Sequence, residues 1–484
     1  MTAFSWIDVW HIIFFANAIL ALWTVFHRKR SVATSWAWLI VLLIFPIGGF
    51  IAYGFLGRGI SQENLFAINR QKHIGLSNVQ KMITKAPAKI DRADSSPSAK
   101  ILIKYLDKDG ESPITKNNKL KLYTDGHDKF RDLFKDIKAA KSSINVEYYT
   151  IYNDQIGNQL RTLLEQKAAE GVEVRVLYDS WGSMGVKRSF YDALRQNGGL
   201  AEPFLMTHSN LFDFRLNYRD HRKIVTIDGQ IGYVGGFNVG DQYLGRLPKF
   251  GYWRDTHLRV IGGGVYSLQQ RFIRDWNASQ RHVHDKIIYY RPYFPPITVK
   301  QGNTALQIVS NGPESPLEKI KLGYLRLINA AQDHIWIQTP YLIPDDSVLD
   351  ALRIAIHSGV DVRIMVPCKP DHPFVYRATQ YYAHQLANEG ATIYFYQNGF
   401  LHAKTMVVDG KMASVGSANV DFRSFKLNFE INAFIYDHRI TDQLEQIFVN
   451  DIRDCKVMTP EMFAAQPLWL RFKQTFSRLF SPIL

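Results

Sequence analysis

One polar pattern occurs twice in this chain, and this repeat limits the possible folds more than any other feature of the sequence. Residues 221–228 read HRKIVTID, residues 402–409 read HAKTMVVD, and each copy continues into a glycine and a G-x-x-N sequence at the same spacing. The shared positions are His221, Lys223, Asp228 and Asn238, matched by His402, Lys404, Asp409 and Asn419. Agreement over this many positions indicates an internal duplication. We therefore expect two related halves that each supply a histidine and a lysine.

Length and charge narrow the class of protein further. A chain of 484 residues is too long for one ordinary hydrophobic core, so two or three domains are expected. The net charge of +14 favours an anionic partner, which leaves nucleic acid, anionic lipid and phosphorylated small molecules open. The two cysteines, Cys368 and Cys455, are too few for a disulfide framework or a cysteine-based zinc site.

The first sixty residues have the composition of a membrane segment. Residues 9–26 and 31–57 contain no Asp, Glu, Lys or Arg, and the turn between them reads HRKR. About 20 apolar residues cross a bilayer core as a helix, so each run is long enough. A signal peptide would carry its basic cluster before the first run rather than after it. The sequence therefore predicts an N-terminal two-helix transmembrane hairpin over residues 1–60, with buried core helices as the alternative.

The orientation of this hairpin follows from its charges. The positive-inside rule places the basic turn at residues 27–30 in the cytoplasm, which puts the rest of the chain on the outer face. Arg58, Arg70 and Lys72 follow the second run and favour the opposite orientation. The balance favours a multi-pass membrane protein in which the rest of the chain lies on the outer face.

From residue 121 onward the chain alternates strands and helices, and it does so in both halves. Residues 142–152 are typical of a strand, 154–170 of a helix that ends at Gly171, and 172–178 of a buried strand. Strand–helix–strand order predicts parallel pairing and an α/β fold. The predicted domains are the hairpin 1–60, a linker 61–120, a first α/β domain 121–295, a second 296–460, and an amphipathic tail 461–484.

The repeated side chains suit chemistry on a phosphate ester. Alternation along a strand puts His221 and Lys223 on one face, and pseudo-two-fold packing of the halves brings both copies to one interface. Two lysines hold the non-bridging oxygens and stabilise the transition state. One neutral histidine attacks phosphorus, while the other, protonated, serves as acid and then as base. We expect no metal or other cofactor, because the lysines supply the positive charge.

Each histidine also needs a carboxylate to fix its tautomer. Asp228 and Asp409 complete the candidate catalytic set of His221, Lys223, His402 and Lys404. They lie beside a glycine at the end of the strand and face the other side, so we expect them to bond turn backbone. Better orienting carboxylates are Asp255, in WRDTH, and Glu430, in NFEIN, because each begins an apolar segment at a comparable point of its repeat.

At these residues the chain resembles the phospholipase D superfamily, whose mark is a pair of H-x-K-x4-D motifs followed by G-x-x-N. Within it the chain is most similar to bacterial cardiolipin synthases. The similarity covers nearly the whole chain and includes NYRDHRKIVTIDG, GGFNVGDQY, WRDTHLRV, TPYLIPD, HAKTMVVDG, GSANVDFRS and NFEINAFIYD. The resemblance implies an α/β fold of two tandem phospholipase D-like domains related by pseudo-two-fold symmetry, preceded by the transmembrane hairpin.

The resemblance also implies a reaction. A phosphatidyl group passes from one phosphatidylglycerol to another through a phosphohistidine, with release of glycerol. His221 and His402 carry over as nucleophile and acid/base, and we prefer His221 as the nucleophile. The implied phosphate contacts are Lys223, Lys404, Asn238, Asn419 and Ser417, and Ser417 has only Gly236 as its counterpart. Phosphatidylethanolamine remains an alternative acceptor.

Two rival functions are distinguished by product and partner. A phospholipase D hydrolase or a membrane-tethered nuclease keeps the chemistry and changes the substrate, whereas a lipid-binding relic has no turnover. The hairpin and the tail favour a membrane and anionic phospholipid over nucleic acid, and an oligomer is possible. The apolar face of the tail consists of Trp469, Phe472, Phe476, Leu479, Phe480 and Ile483. It suits a membrane surface, or it packs on the protein. The aromatic stretches 204–215 and 374–382 are candidates for an apolar mouth to the site.

Overall fold

A computed structural model describes residues 6–26, 32–53, 96–205, 218–280, 285–296, 302–315 and 317–481. The chain divides into two compact units, one of residues 1–62 with 206–218 and one of residues 63–205 with 219–484. The basic turn 27–30 and most of the predicted mouth stretch 204–215 lie outside the described residues.

The smaller unit contains helices α1 (Trp6–Phe26), α2 (Val32–Ile44) and α3 (Pro46–Ala52). The first two pack together around buried Ala21, Val25, Leu39, Leu42 and Tyr53. Many of their other apolar side chains are exposed. Within the described residues, no helix combines the length and the apolar character that a membrane crossing needs. The transmembrane hairpin thus stays a prediction.

The larger unit is built on one sheet, which has fifteen strands among the described residues. Their bounds are β1 (Thr115–Tyr123), β2 (Ser143–Tyr148), β3 (Glu173–Tyr178), β4 (Leu200–Pro203), β5 (Lys223–Ile227), β6 (Ile231–Gly235), β8 (His257–Ile261), β9 (Thr304–Asn311), β10 (His334–Gln338), β12 (Asp361–Pro367), β13 (Thr392–Tyr396), β15 (Thr405–Val408), β16 (Met412–Gly416), β18 (Glu430–Ile435) and β19 (Cys455–Val457). Two short pairs lie apart from it, β7 (Trp253–Arg254) with β14 (Phe400–Leu401), and β11 (Leu342–Ile343) with β17 (Val420–Asp421).

The order of the strands shows the duplication directly. From the antiparallel pair β1–β9 the sheet continues through β8, β6, β5, β2, β3 and β4 on one side. On the other side it continues through β18, β16, β15, β10, β12 and β13 in the equivalent order. The pairs β2–β3 and β10–β12 are parallel, as the strand–helix–strand pattern predicted. The two halves therefore meet at β1–β9 and share one sheet.

Helices cover this sheet, and their bounds are α4 (Pro97–Leu106), α5 (Gly126–Ala139), α6 (Gln155–Ala169), α7 (Asp192–Gln196), α8 (Gly264–Ser279), α9 (Lys319–Ile328), α10 (Asp346–His357), α11 (Pro373–Glu389), α12 (Phe422–Lys426), α13 (His438–Ile452), α14 (Pro460–Ala464) and α15 (Leu468–Arg478). Their starts follow from local chemistry: the Asp154 side chain caps α6 and the Asp345 side chain caps α10, each by accepting from a backbone N–H.

Part of the predicted linker 61–120 belongs to the larger unit. Residues 97–106 form α4, whose buried Leu102 and Leu106 join the core of the second half. The strand β1 begins at Thr115 and occupies the centre of the sheet. Its sequence, TKNNKLKLY, is mostly polar, which is why the strand was not predicted; its pairing with β8 and β9 determines its conformation.

Candidate active site

Each motif histidine is held by backbone bonds to the opposite half of the chain. The His221 N–H donates to the carbonyl oxygen of Phe429 at 2.9 Å, just before β18. The His402 N–H donates to the carbonyl oxygen of Arg254 at 2.7 Å, next to the β7–β14 pair. These two connections are equivalent under the pseudo-symmetry of the sheet. They place each histidine beside a strand start that carries a carboxylate from the other half.

The carboxylates are Glu430 and Asp255, and each reaches across to the histidine of the other half. Nδ1 of His221 lies 2.9 Å from both carboxylate oxygens of Glu430. Nδ1 of His402 lies 2.6 Å from Oδ2 of Asp255. Because an ionised carboxylate only accepts, Nδ1 carries the proton in each ring and Nε2 keeps its lone pair. Sequence reasoning selected these two residues, but it gave no indication that the pairs cross between halves.

The two lysines lie buried beside the histidines. Nζ of Lys223 donates to the carbonyl oxygen of His221 at 2.6 Å, and Nζ of Lys404 donates to that of His402. Burial lowers the pKa of Lys223 to about 7, against the effect of Glu430, and the pKa of Lys404 to about 8, against that of Asp255. In the free site each lysine side chain therefore loses its proton close to neutral pH. An added anion would favour the charged form of both.

Burial also dominates the protonation of the histidines. It lowers the pKa of His221 to about 4 although the Glu430 carboxylate opposes it, and it lowers the pKa of His402 to about 4 although Asp255 opposes it. The charge of Lys404 contributes to the shift of His221, and that of Lys223 to the shift of His402. Groups from both halves thus act on one another. Both imidazoles are therefore neutral in the free site. A neutral ring can attack phosphorus, and the ring that acts as the acid takes up its proton after an anion binds.

The two carboxylates stay ionised in this setting. Burial raises the pKa of Glu430, but the interaction with His221, which donates a hydrogen bond to it, and the charge of Lys223 overcome that effect and bring the pKa below its usual range. Burial likewise raises the pKa of Asp255, and His402 and Lys404 bring it below its usual range. Each carboxylate can therefore stabilise an imidazolium when its histidine takes up a proton.

The third member of each motif does not join this cluster. Asp228 and Asp409 both have positive φ, 53° and 52°, in the turn that follows their strands. Asp228 accepts from the backbone N–H groups of residues 141–143 at 2.7–2.9 Å. Asp409 accepts from those of residues 332–334 at 2.9–3.0 Å. Both aspartates bind the turn backbone, as their position beside a glycine suggested, and their place in the candidate catalytic set stays a prediction.

The asparagines that were expected to contact phosphate have protein partners. Nδ2 of Asn238 donates to the Tyr243 hydroxyl at 3.0 Å, and Nδ2 of Asn419 donates to Oδ2 of Asp421 at 3.0 Å. Each amide nitrogen has a second hydrogen, so a further acceptor can be bound. The phosphate contacts of both residues stay predictions.

Ser417, which was expected to contact phosphate, contacts an orienting carboxylate, and its phosphate contact stays a prediction. Its Oγ donates to Oε2 of Glu430 at 2.5 Å and accepts from the backbone N–H of Ile431 at 2.9 Å. Its counterpart Gly236 has no side chain to contact a carboxylate, and a Cβ at this position would lie 1.9 Å from Oδ1 of Asp255. The serine therefore supports Glu430, and the glycine leaves room for Asp255.

Two aromatic side chains beside the histidines were not predicted. The ring of Tyr149 lies 5.1 Å from that of His221, and the ring of Trp253 lies 5.1 Å from that of His402. Tyr149 follows the carboxyl end of the parallel strand β2, which is where α/β sheets bind ligands. The position of Tyr149 directly after a predicted parallel strand could therefore have identified it from the sequence. Trp253 is two residues before Asp255 and was quoted only as part of the motif.

No cluster of three or more His, Cys, Asp or Glu side chains among the described residues has an arrangement suited to a metal ion. The ionisable groups that meet at this site are two lysines, two carboxylates and two histidines. Such a set can hold a phosphodiester, attack its phosphorus and transfer a proton.

Comparison with known protein families agrees with this reading of the site. The family model described as "Cardiolipin synthase, PLD-like domain" matches residues 133–247 and 324–452, so it covers both copies of the motif. A second model, "Phospholipase_D-nuclease N-terminal", matches residues 16–58. The chain belongs to the phospholipase D superfamily, in its cardiolipin synthase-like family.

Relatives of similar length make the resemblance more specific. The cardiolipin synthase of Listeria innocua is 49% identical over 478 residues, which is 98% of each chain. The major cardiolipin synthase of Bacillus subtilis is 48% identical over 476 residues, 97% of this chain and 98% of its own. The crystal structure of phosphatidylserine synthase from Haemophilus influenzae covers 75% of this chain and 95% of its own, with a TM-score of 0.60 and 16% identity. This last match supports the fold alone. The family inferred from the sequence is confirmed.

Proposed function

We propose that the protein transfers a phosphatidyl group between two phosphatidylglycerol molecules, forming cardiolipin and releasing glycerol. The observation that carries this proposal is the crossed pair of histidines, His221 on Glu430 and His402 on Asp255, with Lys223 and Lys404 beside them. The near-full-length relatives named above are cardiolipin synthases, which supports the lipid as substrate.

The proposed first step forms a covalent intermediate. Nε2 of His221 attacks the phosphorus of one phosphatidylglycerol, and the bond from phosphorus to the headgroup oxygen breaks. His402 gives its proton to that oxygen, and glycerol leaves. Lys223 and Lys404 stabilise the negative charge on the non-bridging oxygens. His402 is neutral in the free site, so the proton it donates is one that Nε2 takes up from solvent when the negatively charged diester binds.

The proposed second step returns the site to its starting state. His402 accepts a proton from a hydroxyl of the second phosphatidylglycerol, and the resulting oxygen attacks the phosphorus. The bond between phosphorus and His221 breaks, and cardiolipin leaves. Transfer competes with hydrolysis only if water is kept out, and both histidines and both carboxylates are buried. Phosphatidylethanolamine as acceptor would offer an amine in place of the hydroxyl, and its product would be a phosphoramidate rather than cardiolipin. This lipid gives cardiolipin only as the donor, with ethanolamine as the leaving group and phosphatidylglycerol as the acceptor.

The product decides between this proposal and its rivals. Purified full-length protein with phosphatidylglycerol of defined acyl chains is expected to give cardiolipin and glycerol in equal amounts. A product of phosphatidic acid and glycerol would identify a hydrolase instead. Cleavage of DNA without lipid turnover would identify a nuclease, and no turnover of either would identify a lipid-binding relic.

We also propose that the N-terminal helices anchor the protein in the membrane as a two-helix transmembrane hairpin over residues 1–60, with residues 27–30 in the cytoplasm. The exposed apolar side chains of α1 and α2 and the match of residues 16–58 support this. A cysteine placed at Lys29, in a chain with Cys368 and Cys455 replaced by serine, tests the orientation. A membrane-impermeant maleimide is expected to label it only after lysis of spheroplasts, and labelling of intact spheroplasts would reverse the orientation.

We further propose a division of the catalytic region into phospholipase D-like domains at 121–295 and 296–460, followed by the tail 461–484. The equivalent strand orders on the two sides of β1–β9 support a boundary between the halves near residue 295. Nucleic acid is not expected as a partner, and an oligomer is possible.

A further inference from the structure

The C-terminal helix α15 packs with its polar side against the protein and its apolar side outward. Its buried residues are Gln474 and Ser477, each 3% exposed, whereas Trp469 and Leu479 are 64% and 70% exposed. A surface helix of a water-soluble unit has the reverse arrangement, because burial of its apolar stripe is what stabilises it. Among the residues that the structure describes, the apolar face of the tail therefore does not pack on the protein.

Specific polar contacts fix this orientation. Nε2 of Gln474 donates to Oε1 of Gln466 at 2.8 Å and lies 3.4 Å from Oε1 of Gln380 on α11. The hydroxyl of Tyr382, also on α11, lies 3.4 Å from the Oγ of Ser481. The helix is thus attached to α11 through its amide and hydroxyl side chains. Its outward apolar face follows from a defined packing arrangement.

The outward side chains form a continuous aromatic row, which consists of Trp469, Phe472, Phe476, Phe480 and Phe374. Successive ring centroids along it are 5.3, 6.0, 5.3 and 6.4 Å apart. The first four rings belong to the tail, and the last belongs to the first turn of α11. A row of this kind on one face of the catalytic unit exposes more apolar surface than scattered single residues do.

The charged side chains from residue 467 onward, around the tail part of the row, are all of one sign. Residues 467–484 include Arg471, Lys473 and Arg478 and no Asp or Glu. All three basic side chains are exposed, and Nζ of Lys473 lies 5.2 Å from the ring centroid of Trp469. Aromatic rings with flanking cations match the boundary between acyl chains and anionic headgroups. A second copy of this chain would bring like charges together at the same place.

The row also leads towards the active site. Phe374 is three residues after Asp371, and the charge of Asp371 acts on Lys404. The Asp371 carboxylate accepts from the hydroxyl of Tyr341, which follows β10. The aromatic row therefore begins close to the groups that surround the second lysine.

We propose that the aromatic row is the surface by which the catalytic unit docks onto an anionic phospholipid bilayer, close to the entrance for the lipid substrate. This extends the proposed function, because the substrate of a docked unit is a lipid in that bilayer. Docking itself does not depend on which product forms, so the two proposals can fail separately.

Fluorescence quenching tests the docking directly. The full chain is reconstituted into vesicles of phosphatidylglycerol and phosphatidylcholine with brominated acyl chains, and the contribution of Trp469 is the difference between wild type and Trp469→Phe. We expect brominated lipid to remove at least half of this contribution. Trp336→Phe is the matched control, since Trp336 is stacked on Phe448 within the protein and its contribution should not change. Quenching of the Trp469 contribution by aqueous iodide, with none by brominated lipid, would overturn the proposal.

Kinetics give a second, independent test. The variant Phe472→Ser/Phe476→Ser/Phe480→Ser should lose transfer on vesicles by at least about tenfold. It should turn over short-chain phosphatidylglycerol, dissolved as monomers, at the wild-type rate. Ile354→Ser, an exposed apolar position on α10, should keep wild-type rates on both substrates.

The outcomes separate the alternatives. Equal loss on vesicles and on monomeric substrate would mean that the row has no docking role. A row covered by a second copy would show an unquenched Trp469 and a lower molecular mass in the triple variant, which also overturns the proposal. If wild type forms no cardiolipin from either substrate but brominated lipid quenches Trp469, the docking holds and the proposed function fails.

Discussion

The two half-sites hold their histidines with carboxylates of different length. In the first, Glu430 places both oxygens 2.9 Å from Nδ1 of His221, and Ser417 donates to one of them. In the second, Asp255 places one oxygen 2.6 Å from Nδ1 of His402, and the position equivalent to Ser417 is Gly236. The shorter carboxylate lies where a side chain of residue 236 would be. The pairs Glu430 with Ser417 and Asp255 with Gly236 are therefore alternative solutions to the same geometric problem.

This difference shows that the symmetry of the fold does not extend to the details of the site. The strands on the two sides of β1–β9 are equivalent, but the surroundings of the histidines differ in carboxylate length, in hydrogen bonding and in the neighbouring ring, Tyr149 or Trp253. The two steps of the proposed reaction need different properties from the two histidines. An asymmetric site of this kind can assign one histidine to attack and the other to proton transfer.

The largest expected effect comes from removing either histidine. His221→Ala and His402→Ala should each lower kcat for cardiolipin formation by about 10^4-fold or more, since the nucleophile and its acid/base partner act as a unit. Far-UV circular dichroism and thermal unfolding should show a folded protein. If the half-sites worked independently, each variant would keep about half of the wild-type rate. That result would contradict the assignment of different roles to the two histidines.

The next effect tests the carboxylate pairs. Gly236→Ser puts a Cβ within 1.9 Å of Oδ1 of Asp255 and must displace that carboxylate, so kcat should fall by about 10^3-fold through misorientation of His402. The reciprocal Ser417→Gly displaces nothing and removes the hydroxyl that donates to Glu430 and accepts from Ile431, so about a tenfold loss is expected. Steady-state rates on phosphatidylglycerol measure both. Equal losses in the two variants would contradict the unequal packing described above.

The pH dependence should assign the alkaline limb to one lysine. Lys223 must be charged to stabilise phosphate, and burial lowers its pKa to about 7, so kcat/KM should fall as pH rises through that value. His221 must be neutral to attack, and burial lowers its pKa to about 4, so kcat/KM should also fall as pH drops through that value. His402 must be charged to donate its proton, and burial lowers its pKa to about 4 as well, so kcat/KM should be highest near 4, decline above that value, and decline more steeply above about 7.

Matched variants sharpen this profile. Arginine stays charged at all relevant pH values, so Lys223→Arg should move the alkaline limb upward even if its rate is lower. Lys404→Arg should leave a limb near 7, because the pKa of Lys404 is lowered only to about 8. An alkaline limb that stays unchanged in both variants would show that neither lysine is responsible for it. The limb in kcat should lie higher than that in kcat/KM, since the bound diester favours the charged lysine.

The smallest catalytic effect is expected at the motif aspartates. Asp228→Asn turns an accepting oxygen into a donor that faces the N–H groups of residues 141–143, which should lower the free energy of unfolding by about 1–3 kcal/mol. The rate of cardiolipin formation at a temperature where the protein is folded should stay within about twofold of wild type. Asp409→Asn is the matched variant in the other half and should behave alike. A large loss of kcat without a loss of stability would place these residues in the catalytic set.

The sequence contained most of the site but not its connections. The spacing of the repeat identified His221, Lys223 and their partners in the second copy, and the position of Asp255 and Glu430 within each repeat identified the carboxylates. Which carboxylate serves which histidine depends on how the halves pack, and strand periodicity has no information on that. The function of Gly236 was likewise invisible, because it depends on an atom 19 residues further along the chain that lies against it only in the fold.

The same limit applies to the rest of the fold. Parallel strands and helix ends were predictable where apolar periodicity and caps such as Asp154 were present. The strand β1 was not, because its polar sequence is stabilised by neighbours from both halves. For the tail, the helical wheel defined an apolar face, but only the contacts of Gln474 with α11 show that this face points outward.

The most direct test is to trap and locate the covalent intermediate. Wild-type protein is mixed with phosphatidylglycerol labelled at phosphorus, quenched in base within one turnover, digested and analysed by mass spectrometry for phosphohistidine. We expect a phosphatidyl-derived label on His221 alone, together with release of one glycerol per site before cardiolipin appears. A label on His402 would reverse the assignment of the half-sites, and formation of cardiolipin without any histidine adduct would contradict the mechanism as a whole.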